Sequence, residues 1–250
     1  MIISVTNQKG GVGKTTTAQS MGAGLTAQNY KVLLVDLDPQ GNLSYSIKAN
    51  TETITIYEVM KKEHEVQNAI QKTTTADIIP ANILLSGAEL EFTRTGREFL
   101  LNEILSSLKT SYDFIIIDTP PALSVLTINA FTASDKLIIP MGADMFSLQG
   151  IGQLNNTINQ VKKYCNNKLE VAGILLTKYN PRTLLSKDLS GIVTDVAKKL
   201  NTQVFKTFIR TSVSIQEAQT EQANIIDYAP NANAQNDYIK FVAEFLQENK

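Results

Sequence analysis

The chain opens on a short apolar run, MIISV, and after Thr6 enters NQKGGVGKTTT, residues 7–17. No other stretch restricts the possible folds as strongly. The β-branched run reads as a strand, the glycines as a loop, and the segment from Lys14 onward as a helix. Strand, glycine-rich loop and helix in direct succession are the context in which a Gly-Lys-Thr ending forms a phosphate-binding loop. In such a loop the backbone N–H groups of Gly10, Gly11, Val12, Gly13, Lys14 and Thr15 surround a phosphate at the helix N-terminus, where partial positive charge accumulates. Side chains in place of the glycines would hold the phosphate off the backbone. Lys14 then reaches the β and γ oxygens of a nucleoside triphosphate, the Thr15 hydroxyl binds Mg²⁺, and Thr16 continues the site into the helix. The loop departs from the pattern G-x-x-x-x-G-K-[ST] in one respect. Gln8 stands where the first glycine belongs, and a second lysine, Lys9, stands at the mouth of the loop.

The rest of the chain repeats the alternation of strand and helix. Candidate strands lie at 2–6, 31–38, 77–81, 113–120, 136–141, 171–177 and 203–209, and candidate helices at 14–28, 97–110, 123–133, 148–164, 186–200 and 234–248. Several of the strands are apolar throughout, as parallel strands covered on both faces are. The pattern predicts an α/β fold: a doubly wound, mostly parallel sheet with helices on both faces, and ligands outside the carboxyl ends of the strands. No linker, repeat or low-complexity tract interrupts it, so one domain over 1–250 is expected.

Two of these strands end in carboxylates. In LLVDLDPQGN, Asp36 and Asp38 are two residues apart, which puts both on one side of a strand that Pro39 and Gly41 terminate. Paired acids at that edge suit Mg²⁺-bound water and the attacking water. In FIIIDTPP, four apolar residues deliver Asp118 toward the Mg²⁺ shell, and Pro120 and Pro121 stiffen the loop that follows.

Composition narrows the partners. Cys165 is the single cysteine, which excludes intramolecular disulfides and cysteine-cluster metal sites; the single histidine, His64, lies in the polar run KKEHE and reads as solvated. No apolar run approaches the roughly 20 residues of a membrane span, and the start on a strand is not that of a signal peptide, so a cytoplasmic protein is expected. Net charge is −1, yet it is unevenly spread. Residues 1–160 hold 11 Lys/Arg against 15 Asp/Glu, residues 161–216 hold 10 against 3, and residues 217–250 hold 2 against 6. A basic block between acidic neighbours suits a polyanion partner whatever the total.

KGGVGKTT, DLDPQGN and IIIDTPP together resemble the deviant Walker-A ATPases, specifically the ParA/Soj DNA-partition branch, and LLTKYNPRTLLS and FIRTSVSIQEAQ resemble that branch's later blocks. The resemblance implies ATP and Mg²⁺ as ligands and slow hydrolysis until a partner stimulates it. It implies that Lys9 reaches across an ATP-dependent homodimer to the nucleotide of the other subunit, while Lys14 serves its own. Asp38 matches the residue that positions the hydrolytic water, and Asp118 the Walker-B acid. Adenine contacts fall near Arg210 to Ser212. Family members bind double-stranded DNA without sequence preference, associate with the nucleoid, and release DNA when a ParB-like centromere-binding protein stimulates hydrolysis. Arg182 matches a DNA-contacting position, and Lys178, Lys187, Lys206 and Arg210 lie near it in the basic block. Phosphate contact needs cations without base-reading geometry. Ser214 stands where many relatives carry a second DNA-contacting arginine.

Other branches fit less well. Iron–sulfur carriers and arsenite pumps depend on cysteines that this chain lacks, and bacterial tyrosine kinases on a tyrosine cluster where the tail has Tyr228 and Tyr238. MinD-like division-site regulators end in a basic amphipathic helix that lies on membranes. Here the last helix carries net charge −1, and its stripe of Tyr238, Val242, Phe245 and Leu246 reads as a face packed on the core, so no membrane partner is expected. An ATP-gated regulator of replication or transcription with little turnover is the remaining alternative, and Asp38 argues against it.

Overall fold

The computed structural model describes residues 1–142, 150–180 and 184–249, without the side chains of 184–190. The described strands are β1 (Ile2–Val5), β2 (Val32–Asp36), β3 (Asp77–Ile79), β4 (Phe114–Asp118), β5 (Lys136–Gly142) and β6 (Glu170–Thr177). They form one sheet in the order β3-β2-β4-β1-β5-β6, with every pairing parallel. The chain winds from β1 out to β2 and β3, returns through β4, then continues on the other side through β5 and β6. The crevice this reversal leaves lies at the carboxyl end of β1, the place where open α/β sheets bind ligands.

Between the strands run α1 (Lys14–Thr26), α2 (Asn42–Ser46), α3 (Ile56–Met60), α4 (Ala88–Glu91), α5 (Leu100–Ser106), α6 (Val125–Ala133), α7 (Ile151–Tyr164), α8 (Leu184–Lys199), α9 (Val213–Thr220), α10 (Ile225–Tyr228) and α11 (Asn233–Glu248). Alternate strand residues feed two separate cores. Ile2, Leu33, Val35, Ile115 and Ile117 pack with α3, α5, α6, α7 and α8 on one face. Ile3, Val5, Leu34 and Ile116 pack with α1, α9, α10 and α11 on the other. Burial on both faces is why these strands are apolar at nearly every position.

α1 is buried almost all round, because it lies between the sheet and α11. Two glycines allow that depth. A Cβ on Gly22 would stand 2.9 Å from Leu34 Cδ2 of β2, and one on Gly24 would stand 2.9 Å from Val242 Cγ2 of α11. α11 in turn buries Tyr238, Phe241, Val242 and Phe245, each worth roughly 1.5–3 kcal/mol of transfer free energy. The apolar stripe of the last helix is therefore core, as its spacing predicted.

The structure corrects the expected strand at 203–209. Val204 and Arg210 make isolated bridges to Ile174 and Tyr179 of the β6 side, but no continuous ladder forms. The reason is a competing acceptor. The amides of Lys206 and Thr207 donate to the Glu244 carboxylate of α11, at 2.6 and 2.8 Å, which lifts the middle of the segment off β6. The expected helix at 97–110 is also broken, into a 3₁₀ turn at Arg97–Phe99 and the shorter α5. Residues 148–149 of the expected helix 148–164 lie outside the described residues.

Candidate functional site

The glycine-rich loop leaves β1 after Val5 and is anchored at three points. Asn7 donates from Nδ2 to Pro140 O of β5, at 2.7 Å, and accepts the Lys9 amide at 3.0 Å. Thr177 Oγ1, at the end of β6, donates to Val12 O at 2.8 Å. Gln8 Nε2 donates to Gln153 Oε1 of α7 at 2.9 Å, and a Cβ on Gly150, at the start of α7, would run into Gln8 Oε1. Gln8 thus replaces the usual glycine with a side chain that braces the root of the loop. Gly11 and Gly13 have φ of 72° and 88°, values that side chains resist. A Cβ on Gly10 or Gly11 would meet nothing within 4 Å, so their backbone faces open space at the N-terminus of α1.

That space is a cavity of about 770 Å³. One wall is the loop from Gly10 to Thr16. The others come from Asp38, Gln40 and Tyr45 after β2, Pro121 after β4, Thr177 and Lys178 at the end of β6, and residues between Ile209 and Gln219 with Tyr238. Lys14 is buried, and its Nζ donates to the Lys9 carbonyl at 3.2 Å. Burial lowers its pKa, while the charges of Asp118 and Asp38 raise it. A desolvated ammonium between a glycine cradle and carboxylates is poised for a ligand carrying several negative charges.

The three expected acids occupy different environments. Asp36 and Asp118 sit side by side in register at the carboxyl ends of β2 and β4. Asp36 is engaged: one oxygen accepts from the amide and hydroxyl of Ser44, at 2.8 and 2.7 Å, and the other from the Asp38 amide at 3.1 Å. Complete burial pushes its pKa up to about 6, against the pull of those hydrogen bonds. Asp118 is also fully buried, and among the described residues both its oxygens lack a hydrogen-bond partner of standard geometry. Burial and then the Asp36 charge raise its pKa well above the ordinary range, with the Thr15 hydroxyl and Lys14 opposing. Asp38 faces the cavity and uses one oxygen to accept the Gln40 amide at 3.0 Å.

This arrangement fits a small divalent cation and refines the expected donor set. Thr15 and the unpartnered carboxylate of Asp118 are the available protein donors, and Mg²⁺ takes few protein ligands beside phosphate oxygens and water. Asp36, the third expected ligand, has its oxygens on Ser44 and the Asp38 amide. Among the described residues no group of three or more His, Cys, Asp or Glu side chains forms a protein-only metal cage.

Of the five expected DNA-contacting residues, the side chains of Lys178, Lys206 and Arg210 are described. Lys178 and Arg210 line the cavity. The Arg210 guanidinium is directed at Asp237 of α11, with Nε and one terminal nitrogen on its two oxygens at 2.8 and 2.6 Å. Lys206 is exposed beside Glu244 and Glu248. Lys187 lies on α8 with its side chain outside the description, and Arg182 lies outside the described residues. Ser212 lies on the cavity wall, its Oγ 2.6 Å from Ser214 Oγ. Four contributors escaped the sequence reading: Ser44 behind Asp36, Gln219 on Thr16 Oγ1 at 3.0 Å, Asp237 on Arg210, and Tyr238 in the cavity wall. Gln219, Asp237 and Tyr238 act across long sequence separations, and Ser44 lies just past the end of DLDPQGN.

Fold and site define a P-loop protein built to grip a polyphosphate. A family model described as an AAA domain matches residues 1–171. Over 249 residues the chain is 41% identical to the sporulation initiation inhibitor protein Soj of Bacillus subtilis (strain 168), covering 97% of each chain. It is 36% identical over 256 residues to the chromosome partitioning protein ParA of Caulobacter vibrioides (strain NA1000 / CB15N), covering 100% of this chain and 95% of that one. A crystal structure of cobyrinic acid a,c-diamide synthase from Mycobacterium smegmatis with bound ADP and magnesium superposes with a TM-score of 0.86, at 35% identity over 98% of this chain and 94% of that one. The chain belongs to the ParA/Soj family of partition ATPases.

Proposed function

We propose that this chain is a DNA-partition ATPase that binds MgATP, pairs with a second copy of itself, and holds DNA without sequence preference until a ParB-like partner stimulates hydrolysis. The observation that carries the reading is the glycine cradle with the buried Lys14 at its floor and Lys9 at its mouth, in a chain similar to Soj and ParA along its whole length. The Gly10–Thr15 backbone and Lys14 hold the phosphates. Thr15 and Asp118 would hold Mg²⁺, which would supply charge neutralisation beside the phosphates. Asp38, directed into the cavity, orients the attacking water. Lys9 completes the site of the other subunit in trans, in the manner of an arginine finger.

The packing of α11 favours this reading over a membrane-bound regulator of the MinD kind, because the face that would lie on lipid is buried against α1 and Phe205. Among the described residues no helix is long and apolar enough to cross a membrane. The test is DNA co-sedimentation with ATP, with ADP and without nucleotide. ATP should increase the DNA-bound fraction, equally on unrelated sequences. Log affinity should fall with log salt by about 0.9 per phosphate contacted on duplex DNA. Binding that ignores both nucleotide and salt would defeat the proposal.

A further inference from the structure

The wall of the cavity formed by Ile209, Arg210, Thr211 and Ser212 has no ladder to hold it. It meets β6 and the loop after it through two backbone bonds, Ile209 N to Leu176 O at 2.8 Å and Tyr179 N to Ile209 O at 3.0 Å. Ile209 is also buried in the core, and Arg210 is held by α11. The Arg210 amide and Nε donate to one oxygen of Asp237, at 3.1 and 2.8 Å; a terminal nitrogen donates to the other oxygen at 2.6 Å and to Asn233 O at 3.3 Å. Asp237 is only 5% exposed, and a planar guanidinium is the group whose geometry matches both its oxygens.

The next residue of the same helix serves the opposite wall. Tyr238 is 1% exposed, and its hydroxyl lies 3.4 Å from Thr17 Oγ1 on α1, the helix that carries the phosphate loop. Two successive residues of α11 therefore hold the two sides of one cavity. We propose that the Asp237–Arg210 pair is a positioning device: it sets the width of the cavity at its nucleoside end, so that Asp237 governs the grip on base and ribose without touching them.

The inference rests on the nucleotide-binding reading above. The phosphate end is built from loop backbone and Lys14, which the pair does not touch, whereas the wall it supports faces the volume left for the nucleoside. A loss confined to the nucleoside is the signature of positioning; a general loosening of the fold would weaken both ends. The experiment is calorimetry on the full chain with MgATP and with magnesium tripolyphosphate, for wild type, Asp237→Asn and Asp237→Glu. Asp237→Asn keeps the shape and removes the charge; Asp237→Glu keeps the charge and displaces the fork, and it answers the question alone should the neutral substitution prevent folding. Both variants should bind ATP about tenfold more weakly, the loss expected for one charge-assisted hydrogen bond, with tripolyphosphate affinity unchanged. Equal losses for the two ligands, or none for either, would overturn the proposal. A wild type that binds neither ligand would overturn the nucleotide reading beneath it.

Discussion

Lys14 and Asp36 show how burial prepares a residue for a ligand the chain does not itself supply. Lys14 gives up most of its hydration, and the carboxylates that hold its charge lie behind the place a phosphate would take. Lys14→Ala should lower ATP affinity by about 100-fold, near 3 kcal/mol, because the cradle loses its one point charge at the β and γ oxygens. Calorimetry giving equal affinities for wild type and variant would remove Lys14 from the site. Asp36 supplies a pH signature. Its carboxyl is raised to about 6 in the folded chain, against about 4 when unfolded. The folded state binds that proton more tightly, so the stability contributed is complete below about pH 4 and is lost as pH rises through about 6. The Asp36 carboxyl carbon should therefore titrate near pH 6 by NMR in the nucleotide-free protein. A midpoint near 4 would mean that water reaches it.

Among the elements, α1 has the most exacting packing. A Gly→Ala change within a helix ordinarily gains about 1 kcal/mol from backbone entropy. At Gly24 the new Cβ would stand 2.9 Å from Val242 Cγ2, a stiff β-branched side chain. Overpacking at such a site typically costs about 1–3 kcal/mol. Gly24→Ala should thus lower the melting temperature, and adding Val242→Ala should recover part of the loss, with a coupling that calorimetric melting of the single and double variants measures. A stabilised Gly24→Ala would contradict the contact between α1 and α11. The same contact explains why α11 is a brace for the cavity and why the sequence-level stripe of Tyr238, Val242 and Phe245 points inward. The short helices α2, α9 and α10 were not legible in the sequence, since four to eight residues give too few turns for a period to show, and their positions follow from what they pack against.

For the whole molecule, the second lysine of the loop carries the expected assembly. Lys9→Ala should leave ATP binding in place, because Lys14 and the glycine backbone are untouched, while light scattering with ATP should report a monomer where the wild type is a dimer. A variant that dimerises normally would end the trans role of Lys9. Folding also divides the basic block. Lys162 and Lys163 lie in the last turn of α7, before the start of β6, toward the amino edge of the sheet, whereas Lys178 lines the cavity at the carboxyl edge. Helices that return across a parallel sheet run against its strands, so cations close in sequence end at opposite edges. A DNA surface on this protein is therefore to be mapped edge by edge rather than by position in the chain.

Alone, the amino-acid order determined what depends on local periodicity and backbone chemistry. All-apolar β-branched runs between helical stretches allow only a parallel sheet covered on both faces, and the glycines of residues 10–13 allow a loop whose amides converge at a helix start. The carboxyl ends of β2 and β4 already marked Asp36, Asp38 and Asp118. Tertiary structure decided which of these acids stays open. Ser44, eight residues beyond Asp36, closes it, and nothing equivalent closes Asp118 among the described residues. It also decided that Arg210 faces Asp237 and that the middle of 203–209 turns from β6 to Glu244. Those outcomes depend on hydrogen bonds between residues 27 to 38 positions apart, and such pairings follow from where the packed helices come to rest, not from any local pattern.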